Sequence, residues 1–103
     1  MNSTEMMNII MDGEWKNIET NDICEFRWSD MNQSISLKYK TGKKSGREDS
    51  HQFVKMYHKE DYLKDCKTLR YQSNLFTTEF TLDSENGPLL VVSNVFGKLQ
   101  LMR

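Results

Sequence analysis

The clearest structural pattern in the sequence lies in residues 24–39, which read CEFRWSDMNQSISLKY. Apolar and polar side chains alternate on both sides of a turn-forming stretch at residues 30–33. The apolar positions are Cys24, Phe26, Trp28, Ile35, Leu37 and Tyr39, and the polar ones between them are Glu25, Arg27, Ser36 and Lys38. Alternation with a period of two places successive side chains on opposite faces of a strand. The segment therefore predicts two antiparallel strands joined by a turn, each with one face turned inward.

The same alternation extends outward along most of the chain. It recurs at residues 13–19, 69–73, 76–82 and 99–101, whereas at residues 53–58 apolar side chains fall on both faces. Residues 89–96 are apolar on both faces and predict a central strand that is covered on each side. About eight short antiparallel strands, spaced about ten residues apart, predict an all-β fold arranged as an up-and-down barrel. A compact β-sandwich is the alternative, and residues 61–66 leave room for one short helix.

Length and composition predict one ordered domain. The chain has 103 residues, of which 37% are apolar, and this suffices for one modest core but not for two. Residues 1–11 are expected to form a flexible lead-in or a short helix, and residues 12–103 a single β domain. No apolar run approaches the length of about eighteen residues that crosses a bilayer, so no membrane insertion is expected. Two cysteines and no recognisable secretory signal favour a reduced, cytoplasmic protein.

Two short motifs resemble a known group of β-barrels. They are Gly13-x-Trp15-x-Asn17 and Ile35-x-Leu37-x-Tyr39-x-Thr41. Over residues 13–41 the chain resembles the opening of the avidin family, and its glycine and tryptophan resemble the wider calycin group of lipocalins and fatty-acid-binding proteins. The resemblance implies a barrel closed at one end by Trp15, in which Asn17 and Tyr39 bond the polar head of a ligand, as the matching positions do for biotin in avidins. The other tryptophan, Trp28, departs from the avidin pattern, so biotin itself is not predicted.

The pattern and the resemblance together predict a non-enzymatic protein that binds a small apolar ligand in the mouth of a barrel. Asn17 and Tyr39 would orient the polar end of the ligand. Three aromatic side chains would form the wall of the site: Trp15, Phe26 and Trp28.

No catalytic residue, metal site or cofactor is predicted. Ser50 and His51 are adjacent, and neighbours in a strand point to opposite faces, so they would not meet. His51, His58 and Cys66 lack the paired spacing of zinc ligands.

A basic segment supports two alternative functions. Residues 38–47 carry five cations and no acid before Glu48. Four of these cations are candidate contacts to a protein partner or an anion: Lys40, Lys43, Lys44 and Arg47. In this alternative the protein is an interaction module, such as an inhibitor or an immunity-type protein, with residues 41–50 as its recognition face. Nucleic-acid binding is disfavoured, because Tyr39 is the one aromatic residue nearby and is expected to face inward. An incompletely closed sheet would also permit a homodimer through an edge strand.

Overall fold

The computed structural model describes residues 1–60 and 66–103. In chain order its elements are α1 (Ser3–Met11), β1 (Glu14–Asn17), β2 (Ile23–Ser29), β3 (Ser34–Tyr39), β4 (Glu48–Gln52), β5 (Lys55–Glu60), β6 (Cys66–Gln72), β7 (Thr77–Leu82), β8 (Leu89–Ser93) and β9 (Gly97–Met102). The prediction of an all-β fold of short antiparallel strands is confirmed, with nine strands in the described residues where about eight were expected. The short helix predicted near residues 61–66 lies outside the described residues, except for Cys66, which begins β6.

The nine strands form one sheet in the order β4-β3-β2-β1-β9-β8-β7-β6-β5. Every neighbouring pair in this order is antiparallel. The first strand pairs with the last, with Lys16 opposite Met102 and Asn17 opposite Leu101. In the part of the chain that is described, β4 and β5 are the two edges of the sheet. A closed barrel would need one further ladder, between these two strands.

The hairpin of β2 and β3 has the register that its alternation predicts. Its apolar Cα partners are Cys24 with Tyr39, Phe26 with Leu37 and Trp28 with Ile35. Partners across a ladder place their side chains on the same face, so the apolar residues gather on one side. Phe26 and Leu37 are fully buried, and the Phe26 ring meets Phe80 of β7 edge-on at a centroid distance of 5.0 Å. Side chains from the two halves of the sheet therefore meet in a common core.

Trp28 and the strand β8 are more exposed to solvent than the sequence predicts. Trp28 was expected to face the interior, but it is 36% exposed, because it lies beside the β2–β3 turn where the core ends. The expectation that residues 89–96 are covered on both faces is wrong for β8. Leu90 and Val92 are 41% and 56% exposed, because they lie on the face of β8 opposite to the buried Leu89 and Val91.

The N-terminal segment forms the helix α1. Asn2 caps it: the Asn2 side chain accepts from the Glu5 N–H at 2.8 Å, and the Glu5 carboxylate accepts from the Asn2 N–H at 3.2 Å. This reciprocal pair satisfies N–H groups that a helix start leaves unpaired. Met6 and Ile10 point into the core and are fully buried. No helix among the described residues has the length and apolar character needed to cross a membrane.

Trp15 joins the end of α1 to the sheet. Its indole N–H donates to the Ile10 carbonyl at 2.9 Å. The guanidinium of Arg103 lies over the Trp15 ring, 3.9 Å from its centre, and also donates to the Ile9 and Asp12 carbonyls. The last residue of the chain thus binds the carbonyl end of the helix, where cations are favourable.

Candidate ligand-binding site

A pocket of about 520 Å³ opens between the β1–β2 turn, the end of β3 and the strand β9. Its apolar wall consists of Ile23, Cys24, Phe96, Leu99 and Leu101. Its polar rim consists of Asn17, Thr20, Asp22, Tyr39, Thr41, Lys43 and Lys44. Small-molecule sites are commonly concave spaces of about 300–1,000 Å³ with mostly apolar walls and a few polar groups. The pocket therefore has the size and the lining of such a site.

Asn17 builds the turn that forms one side of the rim. Its side-chain oxygen accepts from the backbone N–H groups of Glu19 at 2.8 Å and Thr20 at 3.2 Å. The backbone N–H of Asn17 donates to the Asp22 carbonyl at 2.8 Å. An asparagine that binds its own turn in this way stabilises a tight reversal between strands. Among the described residues no hydrogen-bond partner is seen for the Nδ2 amide of Asn17, which leaves this group available to a ligand.

The loop after β3 is tied to the start of β2. The Lys40 N–H donates to the Ile23 carbonyl, and the Ile23 N–H donates to Thr41 Oγ1, both at 2.8 Å. Gly42 follows with a φ of +90°, a left-handed conformation that glycine adopts without strain. The Asp22 carboxylate occupies the space that a Cβ atom at Gly42 would need. The rim is therefore formed by two segments packed closely on one another.

Tyr39 presents its ring, rather than its hydroxyl, to the pocket. The hydroxyl donates to Asp49 Oδ2 at 3.2 Å. Burial, with a further contribution from the Asp49 carboxylate, raises the pKa of Tyr39 to about 12. The phenol is therefore neutral at physiological pH and its proton is committed to Asp49. Above the ring, at 5.1 Å from its centre, lies the ammonium group of Lys44, within the range of a cation–π contact.

Cys24 contributes a neutral thiol to the apolar wall. Burial, with a further contribution from the nearby Asp22 carboxylate, raises the pKa of Cys24 to about 11. The thiolate is the nucleophilic form of cysteine. At neutral pH the side chain is therefore a small apolar wall group and not an activated nucleophile.

The four predicted cations divide into two pairs. Lys40 binds the carboxylates of Glu14 and Glu25, each at 2.9 Å, and Arg47 binds Asp49 at 2.8 Å. Hydrogen bonding to Glu25 is the main reason that the pKa of Lys40 is raised. Lys43 and Lys44 instead line the pocket, and the described residues offer neither of them a carboxylate within ion-pair distance.

His51 is a hydrogen-bonded core residue. It is buried in β4, and its Nδ1 donates to the Gln52 carbonyl at 2.9 Å, because a carbonyl can only accept. The His51 Nε2 lies 2.7 Å from the Thr78 hydroxyl oxygen. That hydroxyl lies 2.7 Å from Ser93 Oγ. Among the described residues no group of three or more His, Cys, Asp or Glu side chains could hold a metal ion.

The structure brings together two of the five residues predicted to bind a ligand. Asn17 and Tyr39 both line the pocket. Trp15 and Phe26 are fully buried elsewhere in the core, and Trp28 is partly exposed at the other end of β2. Four wall residues were not predicted to bind a ligand: Ile23, Phe96, Leu99 and Leu101. The spacing of Leu99 and Leu101 fits a strand, but only the pairing of β9 with β1 places Leu101 opposite Asn17.

Comparison with protein-family models, with curated proteins and with solved structures finds no match. The resemblance to calycins therefore stays a prediction.

Burial of weak acids predicts that the protein loses stability in alkaline solution. Folding raises the pKa of Cys24 from its ordinary value of 9.0 to about 11. It raises the pKa of Tyr39 and of Tyr71 from 10.0 to about 12. Between these pH values the folded state keeps protons that the unfolded state releases. The contribution of these groups to the free energy of unfolding is therefore fully present below about pH 9 and is lost as the pH rises to about 12. We expect the midpoint of urea denaturation to fall progressively across this range.

Tyr71→Phe is the matched variant for this pH series. The Tyr71 hydroxyl is buried and has no described hydrogen-bond partner, so phenylalanine removes one titrating group and little else. Its denaturation midpoint should fall less steeply above about pH 10 than that of the wild type. Parallel curves for the two proteins would show that Tyr71 does not contribute.

Proposed function

We propose that this protein is a non-enzymatic binding protein that holds a small, largely apolar ligand in the pocket beside β9. The observation that carries the proposal is the preformed space of about 520 Å³, whose wall is apolar and whose rim holds a few converging polar groups. Around Phe80 the described core is packed, as its edge-on contacts with Phe26 and Tyr71 illustrate. A concave apolar space beside a packed core is the usual property of a ligand site.

We further propose that the sheet is an up-and-down barrel of the calycin type, with the pocket at its mouth. Two observations support this. Consecutive strands are neighbours from β1 to β4 and from β5 to β9, and the first strand pairs with the last. Only residues 53 and 54 separate the two edge strands along the chain, so a barrel would differ from the described sheet at a single junction.

Binding of a neutral apolar fluorophore tests the proposed function. We expect phenylnaphthylamine, which fluoresces strongly only in apolar surroundings, to bind one site per chain. Leu99→Trp, which adds bulk to the pocket wall, should weaken this binding at least about tenfold, equivalent to about 1.4 kcal/mol. The control is Val92→Trp, because Val92 lies on the exposed face of β8 and does not line this pocket. No binding by the wild type, or equal binding by the two variants, would contradict the proposal.

Two glycine variants test the rim of the pocket. Gly42 and Gly46 have φ values of +90° and +86°, but only a Cβ at Gly42 would meet Asp22. Alanine at either position should cost about 1–2 kcal/mol of stability because of the left-handed backbone. Only Gly42→Ala should also displace Asp22 and change the affinity for phenylnaphthylamine. If Gly46→Ala changed that affinity as much, the contact of Asp22 with Gly42 would not be what shapes the rim.

A second candidate function is self-association, which an apolar surface beside the two edge strands favours. Three large apolar side chains there are exposed to solvent: Val54 by 71%, Leu75 by 76% and Phe76 by 42%. They line one shallow depression together with residues of β4. Exposed apolar clusters and unpaired strand edges are typical of interfaces. Antiparallel pairing of β4 with β4 of a second copy about Ser50 would place Glu48 opposite Gln52, so that no like charges meet.

Sedimentation at increasing concentration tests this second candidate. We expect the wild type to form dimers at high micromolar concentration and the double variant Val54→Ser/Leu75→Ser to remain monomeric. Leu90→Ser is the control, because Leu90 is an exposed aliphatic residue on β8, away from both edges. A wild type that stays monomeric throughout, or a control that dissociates equally, would overturn the interface.

A further inference from the structure

We infer that the ligand of this pocket carries a single negative charge, as a carboxylate or sulfonate does, and that Lys43 and Lys44 bind it. The inference rests on the proposed function and specifies its ligand class. The basic loop follows β3 directly, and its two lysines line the same pocket as the apolar residues of β9. A molecule with an apolar body and an anionic end would place each part against a matching surface.

Lys40 and Arg47, the two other cations predicted to bind an anion or a partner, do not compete for this role. Lys40 lies between Glu14 and Glu25, and Arg47 is bound to Asp49. Their charges are already balanced by carboxylates of the protein. The positive charge that remains unbalanced in the loop is therefore that of the two lysines that line the pocket.

The side chain of Lys44 contacts an aromatic ring at the edge of the pocket. Its ammonium group lies 5.1 Å above the centre of the Tyr39 ring, and that ring is oriented by the hydrogen bond of its hydroxyl to Asp49 at 3.2 Å. A lysine on a fixed aromatic ring loses less side-chain freedom on binding an anion than a lysine in open solvent. The ammonium group of Lys44 therefore lies in the rim of the pocket, beside its apolar wall.

The charge of the lining favours a monoanion. Asp22 is the one carboxylate among the lining residues, and it sits against Gly42. Tyr39 and Cys24 add no charge, because burial keeps both protonated at neutral pH. Two lysines and one aspartate leave one net positive charge. A carboxylate or sulfonate would balance that charge, whereas a dianion would bring its second charge near Asp22 without a cation to balance it.

Two probes with the same ring systems and different charges test the inference. Anilinonaphthalene sulfonate is an anion, and phenylnaphthylamine is the neutral molecule without the sulfonate. We expect the wild type to bind the anion about tenfold more tightly at low salt, through charge-assisted hydrogen bonds to two lysines. The double variant Lys43→Gln/Lys44→Gln should lose this preference while binding the neutral probe as the wild type does. Added salt should reduce the preference of the wild type.

The control is Lys16→Gln/Lys98→Gln, which changes the net charge equally at two exposed lysines outside the pocket. It should retain the preference for the anion. If the wild type binds both probes equally, or if both double variants lose the preference alike, the inferred charge specificity is overturned and the proposed function stands. If the wild type binds neither probe, the proposed function itself is overturned.

Discussion

Replacing Trp15 with alanine is expected to lower the free energy of unfolding by about 3–5 kcal/mol, the cost of removing a large aromatic side chain from a packed core. Trp15 is fully buried, and it joins three parts of the molecule. Its strand β1 pairs with both β2 and β9, its indole N–H binds the Ile10 carbonyl at the end of α1, and its ring supports the guanidinium of Arg103. Urea denaturation followed by circular dichroism measures the change.

Trp15→Phe separates the hydrogen bond from the packing. Phenylalanine keeps an aromatic ring but leaves the buried Ile10 carbonyl without the indole donor, so we expect a smaller loss of about 1–3 kcal/mol. Because Trp15 does not line the pocket, this variant should bind phenylnaphthylamine as the wild type does. Weaker probe binding by a stably folded Trp15→Phe protein would instead support the role in ligand binding that the sequence predicted for this residue.

Replacing Phe26 with alanine should also cost about 3–5 kcal/mol. The Phe26 ring is fully buried and meets Phe80 at 5.0 Å and Phe96 at 6.0 Å between ring centres. Its removal leaves a cavity between two halves of the sheet, and the surrounding strands cannot close it without breaking their ladders. Phe96 also belongs to the wall of the pocket, so the variant should alter probe binding as well.

Trp28→Ala is the matched control for Phe26→Ala. Both residues lie on the same strand, and the alternation predicts the same face for both, but Trp28 remains 36% exposed. Because Trp28 is partly exposed, its removal leaves a site open to solvent rather than an enclosed cavity, and we expect Trp28→Ala to cost less than Phe26→Ala. Equal losses for the two variants would show that Trp28 packs as deeply as the sequence pattern predicted.

The hairpin of residues 24–39 shows which structural features alternation in the sequence can predict and which it cannot. Alternation predicted its two strands, their turn and the side to which Phe26 and Leu37 point, because side-chain direction in a strand depends only on position along it. It did not show where the core ends, which left Trp28 partly exposed. Nor does the apolar run at residues 89–96 show that β8 is covered on one face only, because this depends on which distant segments pack against each face.

The candidate site was predictable in part. Asn17 and Tyr39, which the resemblance placed at one site, both line the pocket. Their polar atoms are nevertheless largely occupied by the protein itself: the Asn17 side-chain oxygen by its own turn and the Tyr39 hydroxyl by Asp49. Equally, nothing in the order of residues 38–47 distinguishes Lys40 from Lys44. Their roles differ because Glu14 and Glu25 approach Lys40 from neighbouring strands.

The amino-acid order alone was sufficient for the class of fold, the antiparallel strands and most of the inward-facing residues, since these follow from alternation and turn chemistry within a few neighbouring positions. The pairing of β1 with β9, the pocket between them and the separation of paired from unpaired cations arise only when distant segments meet. Interactions of that kind depend on distances in space between groups far apart in the chain, and no local pattern encodes those distances.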